Sequence, residues 1–181
     1  MLTLGLSTRT EELVEAAIAG DRDAFEGLLE AAAPAAYRAA LAVLGSPEDA
    51  RDALQEAALR AWRHLPELRN AGAWHAWFGR IAVRAAQDQA RQRRRAQERT
   101  ALDLDEQIPD PAPGVVERLA MLNAVGRLSA ADREVLALRF GADLEVPDLA
   151  AALGIPLGTA KARLHRALGR LRKQWETTGD E

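Results

Sequence analysis

The stretch Asp143-Leu-Glu-Val-Pro-Asp-Leu-Ala-Ala-Ala-Leu-Gly-Ile-Pro-Leu-Gly-Thr-Ala-Lys-Ala-Arg-Leu-His-Arg-Ala-Leu-Gly-Arg-Leu-Arg-Lys173 predicts two helices that meet at Gly154. Gly154 can adopt the left-handed conformation that ends the first helix, and Pro156 prevents its continuation. The second helix is predicted to bury five apolar residues, Leu157, Ala160, Leu164, Leu168 and Leu171. Its other faces are basic, with no acid between Leu157 and Lys173. A helix-turn-helix with a basic second helix is the arrangement that enters the major groove of DNA.

A helical hairpin with a solvated basic face is the structural alternative for this stretch. The order of residues 153–167, Leu-Gly-Ile-Pro-Leu-Gly-Thr-Ala-Lys-Ala-Arg-Leu-His-Arg-Ala, favours DNA binding instead. It resembles the C-terminal DNA-binding region of bacterial sigma factors of the extracytoplasmic-function type. The resemblance implies that the upstream promoter element is contacted by Thr159, Lys161, Ala162, Arg163, His165 and Arg166. Within this set Arg166 is expected to read bases and Arg163 to brace the helix.

Another helix is predicted to start at Ser46-Pro-Glu-Asp49, where Ser46 suits the cap and Pro47 the first helical position. It should run to about His64 with alanines inward. Its outer face is expected to carry Asp49, Asp52, Gln55 and Glu56, and for an isolated helix this would be an ordinary solvated face. Residues 49–63, however, are similar to the sigma-factor block that docks on the clamp helices of the largest RNA polymerase subunits. The resemblance implies that these four residues bind core polymerase.

A long helix is predicted from Trp74 to Arg95, with its tryptophans in the core. Basic and amide side chains recur on another face, so phosphate contact is favoured over a solvated stripe. Residues 74–82 resemble the family segment beside the downstream promoter element, where the preceding loop captures a flipped base. The implied downstream-element residues are Arg69, Asn70, Arg80, Arg84, Gln87 and Arg91. Gly79 and Arg84 depart from the family pattern, in which Tyr and Asn are common.

The composition predicts an all-α protein. Much of the 48% hydrophobic content is alanine, and β-branched residues are few. The absence of cysteine excludes disulfides, thiol catalysis and cysteine metal sites. No signal peptide is evident, and no apolar run approaches the ~20 residues of a membrane span. The chain is therefore expected to be cytoplasmic, without membrane insertion.

The formal net charge of −3 conceals an alternation along the chain. Residues 11–67 hold 12 acids and 5 bases, whereas residues 68–99 hold 8 bases and 2 acids. Residues 100–156 hold 10 acids and 4 bases, and residues 157–181 hold 6 bases and 3 acids. Because local charge decides where phosphate binds, the two basic zones are the candidate DNA-binding regions. We expect the acidic zones to mask them in the free protein.

These patterns predict two small helical domains joined by a flexible linker. The N-terminal domain is expected over residues 10–96 and the C-terminal helix-turn-helix domain over 115–175. The C-terminal domain is predicted to begin with a helix from Val115 to Leu128, followed by one that Ser129 with Asp132 caps and that ends at Gly141. The acidic, proline-containing segment 97–114 is the linker. Residues 1–9 are expected to be disordered, and Pro34 to break or kink its helix.

No residue pattern in the sequence supports an enzyme active site, a cofactor or a metal site. The three histidines fall in three different predicted helices. The expected function is that of an alternative sigma factor, whose partners are core RNA polymerase, promoter DNA and an anti-sigma factor. One alternative is a helix-turn-helix regulator that acts without entering polymerase. Another is a helical protein-interaction adaptor with no role at DNA.

Overall fold

The computed structural model describes the backbone of residues 2–100, 121 and 123–179, and the side chains of residues 8–96, 121 and 123–177. Within these ranges the regular structure is helical and contains no strand. The helices are α1 (Leu2–Ile18), α2 (Arg22–Leu44), α3 (Pro47–His64), α4 (Trp74–Thr100), α5 (Ala130–Leu136), α6 (Val146–Leu153) and α7 (Leu157–Gly179). Most of the predicted linker, and the start of the helix predicted from Val115, lie outside the described residues. The all-α prediction is confirmed.

Local sequence sets the ends of α2 and α3. The Asp21 carboxylate accepts hydrogen bonds from the backbone amides of Asp23 and Ala24, and Ser46 caps α3 through the amide of Asp49. Gly45 ends α2 in the left-handed conformation, with φ of 73°. The prediction that residues 1–9 are disordered is wrong, since helix α1 begins at Leu2. Pro34 does not break α2, which continues through it with Pro34 on its exposed side.

The core of the N-terminal domain is built around α2, which contacts α1, α3 and α4. Trp74 is fully buried, donates from its indole nitrogen to the Leu28 carbonyl at 3.1 Å, and stacks on Phe78. By length and composition α2 could span a membrane. Seven of its alanine, leucine and phenylalanine residues are buried in the folded protein, where their apolar side chains are removed from water.

The C-terminal domain contains a departure from regular helix. The sequence predicts one helix from Ser129 to Gly141, but the α-helical part ends at Leu136 and a π-helical turn covers Ala137–Gly141. The Ala142 amide donates to the Ala137 carbonyl at 2.9 Å, which closes the wider turn. The turn places Leu138 in the core and Gly141 against the N-terminal domain.

The two domains share a hydrophobic core. Ala39 of α2 and Val83 of α4 are buried with Val135, Leu138 and Leu149 of the C-terminal domain. Glycines permit this close approach. A β-carbon on Gly141 would lie 2.4 Å from the Cα atom of Ala39, and one on Gly79 would lie 3.2 Å from the Ala142 β-carbon.

Candidate nucleic-acid and polymerase interfaces

Helices α6 and α7 form the predicted helix-turn-helix. Gly154 adopts the left-handed conformation with φ of 64°, and the Ile155 amide donates back to the Ala150 carbonyl at 3.1 Å. Helix α7 buries Ala160 and Ala167 completely. The prediction that Leu157 and Leu168 are buried is wrong, since they are 43% and 39% exposed. The face of α7 that packs on its own domain is therefore narrower and richer in alanine than the leucine spacing indicated.

An ion pair fixes the direction of α7. Arg170 Nη1 lies 2.8 Å from both carboxylate oxygens of Asp132, whose residue is only 3% exposed. The same carboxylate accepts from the Ser129 hydroxyl at 2.7 Å, and Ser129 caps α5 through the Asp132 amide. The sequence pattern predicts only a capping role for Asp132, because its second partner, Arg170, lies 38 residues away and no local pattern identifies it.

The predicted upstream-element residues lie on the outer side of α7. Thr159, Lys161, Ala162, His165 and Arg166 are exposed, and Arg163 is half-buried, as a bracing residue would be. Arg166 Nε donates to the Ala162 carbonyl one turn earlier, at 3.2 Å. The remaining guanidinium donors of Arg166 and the Lys161 ammonium carry no hydrogen bond to another described residue. This face can donate to phosphates and to base edges in a major groove.

On α3, three of the four predicted polymerase-binding residues are exposed: Asp52, Gln55 and Glu56. Arg60 lies between Glu56 and Asp88 of α4, at 2.8 Å from each carboxylate. These hydrogen bonds, from Asp88 first and Glu56 second, raise the pKa of Arg60 above its ordinary value. The arrangement presents an acidic surface with Asp52 outside the ion-pair network.

The prediction that Asp49 lies on the outer face of α3 is wrong. Asp49 is 9% exposed and its carboxylate contacts Arg93 and Gln89 of α4. It therefore ties the start of α3 to the distant end of α4. A sequence pattern marks this residue as polar and helical, but only the crossing of α3 and α4 decides which way it points.

An apolar groove adjoins the acidic surface of α3. It has a volume of about 490 Å³ and is lined in part by Phe25, Leu29, Gln55, Leu59 and Trp62. Leu59 is 54% exposed. The spacing of apolar residues in α3 predicts Trp62 on the inner face, and this prediction is wrong, since Trp62 is 37% exposed. No sequence signal identifies Leu59, because single apolar side chains are common on helix exteriors.

The predicted downstream-element residues differ in their exposure to solvent. Arg69 and Asn70 are exposed in the loop before α4, where the Asn70 side chain accepts from the Gly72 amide at 3.0 Å. Arg91 is also exposed and pairs with Asp88. These residues can reach a nucleic acid in the described arrangement.

The middle of the α4 face is covered by the C-terminal domain. Gln87 is 9% exposed and donates to the Ala130 carbonyl at 2.9 Å. Arg84 remains exposed, although its side chain lies 3.9 Å from the Glu134 carboxylate. Arg80 Nε is buried without a hydrogen-bond partner among the described residues. Burial, followed by the positive charge of Arg84, lowers the pKa of Arg80. DNA contact by Gln87 and Arg80 therefore requires the two domains to separate.

No cluster of three His, Asp or Glu side chains suited to a metal ion occurs in the described ranges. The surfaces just described offer hydrogen bonds, charge and apolar contact. Their chemistry is that of macromolecular recognition.

Comparison with known proteins identifies the family. The sigma-70 region 2 model matches residues 28–96, and the sigma-70 region 4 model matches residues 124–173. The extracytoplasmic-function sigma factor SigL of Mycobacterium tuberculosis is 31% identical over 175 residues, which cover 92% of this chain and 97% of that protein. The chain belongs to the extracytoplasmic-function group of sigma factors. Members of this family bind core RNA polymerase and direct promoter-specific transcription.

Other relatives of this sigma factor agree. SigM of Mycobacterium tuberculosis is 34% identical over 162 residues, covering 88% of this chain and 81% of that protein. Among solved structures, RpoE bound to the anti-sigma factor NepR from Bartonella quintana has a TM-score of 0.63 at 26% identity, covering 84% of this chain and 96% of that chain. CnrH bound to the cytosolic domain of CnrY has a TM-score of 0.71 at 24% identity, covering 93% and 98%, and shows the same fold.

Proposed function

We propose that this sigma factor binds core polymerase and the two promoter elements through three different surfaces. The exposed α3 face with Asp52, Gln55 and Glu56 docks on core polymerase. The loop before α4, with the basic face of α4, holds the downstream promoter element. Helix α7 reads the upstream element through Lys161, His165 and Arg166. The proposed domains are 10–96 and 115–175, with 97–114 as the linker.

The observation that carries this proposal is the presentation of α7. Its basic outer face is exposed, while Arg170 and Asp132 anchor its inner side to α5. A recognition helix needs this combination, since its side chains must reach base edges from a fixed backbone. The match to region 2 supports polymerase docking over a regulator that acts without entering polymerase.

Cytoplasmic localisation, the lack of enzymatic activity and the absence of a cofactor belong to the same proposal. An anti-sigma factor is the proposed regulator, supported by the solved relatives in complex with such partners. The acidic segments were expected to mask the basic surfaces. The exposure of Lys161, His165 and Arg166 supports a different arrangement, in which the covered surface is the α4 face around Gln87.

The test is association of the full chain with core RNA polymerase, followed by promoter DNA binding. The proposal expects a stable complex with core, and expects the complex to bind promoter DNA more tightly than the free chain does. Binding of promoter DNA with equal affinity in the presence and absence of core, together with no association with core, would support the regulator instead.

A further inference from the structure

A basic cavity of about 440 Å³ lies where the two domains meet, beside the C-terminal end of the basic face of α4. One wall is the end of α2 and the start of α3, including Gly45 and Ser46. The second wall is α4, with Arg93 and Arg94. The C-terminal domain completes it with Asn123, Gly126 and Arg133. Three guanidinium groups thus line one cavity, to which no described acidic residue contributes a wall.

Arg133 is the decisive residue of this cavity. It is 8% exposed, and its Nη1 donates to the Gly126 carbonyl at 2.7 Å. Among the described residues, its buried Nε has no hydrogen-bond partner and no carboxylate lies within ion-pair distance of it. Burying a guanidinium without an opposite charge is costly, so a compensating anion would stabilise the folded protein.

The neighbouring arginines increase the need for an anion. Arg94 is exposed and has no ion-pair partner among the described side chains, whereas Arg93 is paired with Asp49. Burial and the positive charge of Arg94, in that order, lower the pKa of Arg133. Two positive charges that have no carboxylate partner among the described residues therefore face the same space.

We propose that this cavity binds a phosphate group. A phosphate monoester carries about −1.5 to −2 charge at pH 7, which matches Arg94 and Arg133 together better than the single charge of a carboxylate. Its oxygens suit the forked donors of guanidinium groups, and the Asn123 amide can add another donor. The occupant is therefore a phosphate monoester or inorganic phosphate, because a nucleic-acid backbone phosphodiester carries only one negative charge. Because both domains line the cavity, bound phosphate favours the closed arrangement.

The experiment is a calorimetric titration of the full chain with inorganic phosphate at constant ionic strength. Wild type should bind at one saturable site, and Arg94→Gln should bind about tenfold more weakly or worse, as expected for loss of a charge-assisted contact. Arg94 is exposed, so this variant is expected to fold. The matched control is Arg22→Gln, which removes the same charge at the opposite end of α2, roughly 30 Å away along the helix.

Retention of wild-type affinity by Arg22→Gln supports the site. An absence of saturable binding, or equal weakening in the two variants, overturns it. In a second measurement phosphate should raise the unfolding temperature of wild type more than that of Arg94→Gln, and an equal rise counts against the proposal. A competing single-stranded oligonucleotide tests the class of ligand. Retention of phosphate supports a monoester site, whereas displacement assigns the cavity to a nucleic-acid backbone and overturns the monoester.

Discussion

Gly141 and Ala39 are in backbone contact across the two domains, since a β-carbon on Gly141 would lie 2.4 Å from the Ala39 Cα atom. The contact is closer than any residue with a side chain allows, and it helps to hold the C-terminal domain over the α4 face. Replacing this glycine should therefore act on the arrangement of the domains.

Gly141→Ala is expected to separate the domains and increase the radius of gyration measured by small-angle X-ray scattering. If the domains stayed together, the added methyl group would strain their contact and lower the free energy of unfolding by about 1–3 kcal/mol, as overpacking does in protein cores. Because separation uncovers Gln87 and Arg80, the variant should also bind single-stranded DNA more tightly than wild type. Gly169→Ala is the matched control, because a β-carbon there meets nothing within 4 Å. An unchanged radius together with unchanged DNA affinity would contradict an occluding role for the domain contact.

Asp52→Arg combined with Glu56→Arg is expected to weaken binding to core RNA polymerase. Both side chains are exposed, and the surface ion pair lost from Arg60 is of a kind worth at most about 1 kcal/mol. Thermal unfolding should therefore change little while core affinity falls. The control is Glu12→Arg with Glu15→Arg, two exposed acids on α1. Equal affinity of the two double variants for core polymerase would show that α3 is not part of the docking surface.

Arg170→Gln is expected to destabilise the C-terminal domain by about 1–3 kcal/mol, because it leaves the buried Asp132 carboxylate without its charged partner. The measurement is thermal unfolding of the full chain. Arg172→Gln, at an exposed position two residues further along α7, should leave stability nearly unchanged. If the two variants unfold alike, the ion pair does not anchor α7.

Arg166→Ala and Lys161→Ala should affect DNA recognition differently. Loss of an arginine that reads a base makes the binding free energy ~1–3 kcal/mol less favourable for DNA with the preferred base pair, and it relaxes specificity at that position. Loss of a phosphate-reading lysine weakens all sequences alike and reduces the salt slope by about one. We expect the first behaviour for Arg166 and a mixture for Lys161. The measurement is binding of the polymerase complex to a library randomised over the upstream element at several salt concentrations. Uniform weakening by Arg166→Ala would assign that residue to phosphate.

Features governed by neighbouring residues could be predicted from the sequence. The helix-turn-helix follows from Gly154 and Pro156 with the leucine and alanine spacing around them, and the start of α3 follows from Ser46 and Pro47. The outer positions of Lys161 and Asp52 follow from the same periodicity.

Features governed by distant contacts could not be predicted. The helical spacing predicts that the polar side chain of Asp49 is exposed, and only the crossing of α3 and α4 brings Arg93 to it. The π-helical turn and the burial of Gln87 depend on how the two domains meet. Alanine-rich helices make such contacts hard to foresee, because small side chains fit both a core and a surface. Gly79 was recognised as a departure from the family, but its place against Ala142 appears only in three dimensions.

The function of this chain as a sigma factor is tested most directly by transcription of a genomic DNA library by core polymerase with and without the chain, with the 5′ ends of the transcripts sequenced. We expect new start sites that share an upstream and a downstream element, and we expect Asp52→Arg with Glu56→Arg to reduce their yield. A set of start sites identical to that of core polymerase alone would contradict this function.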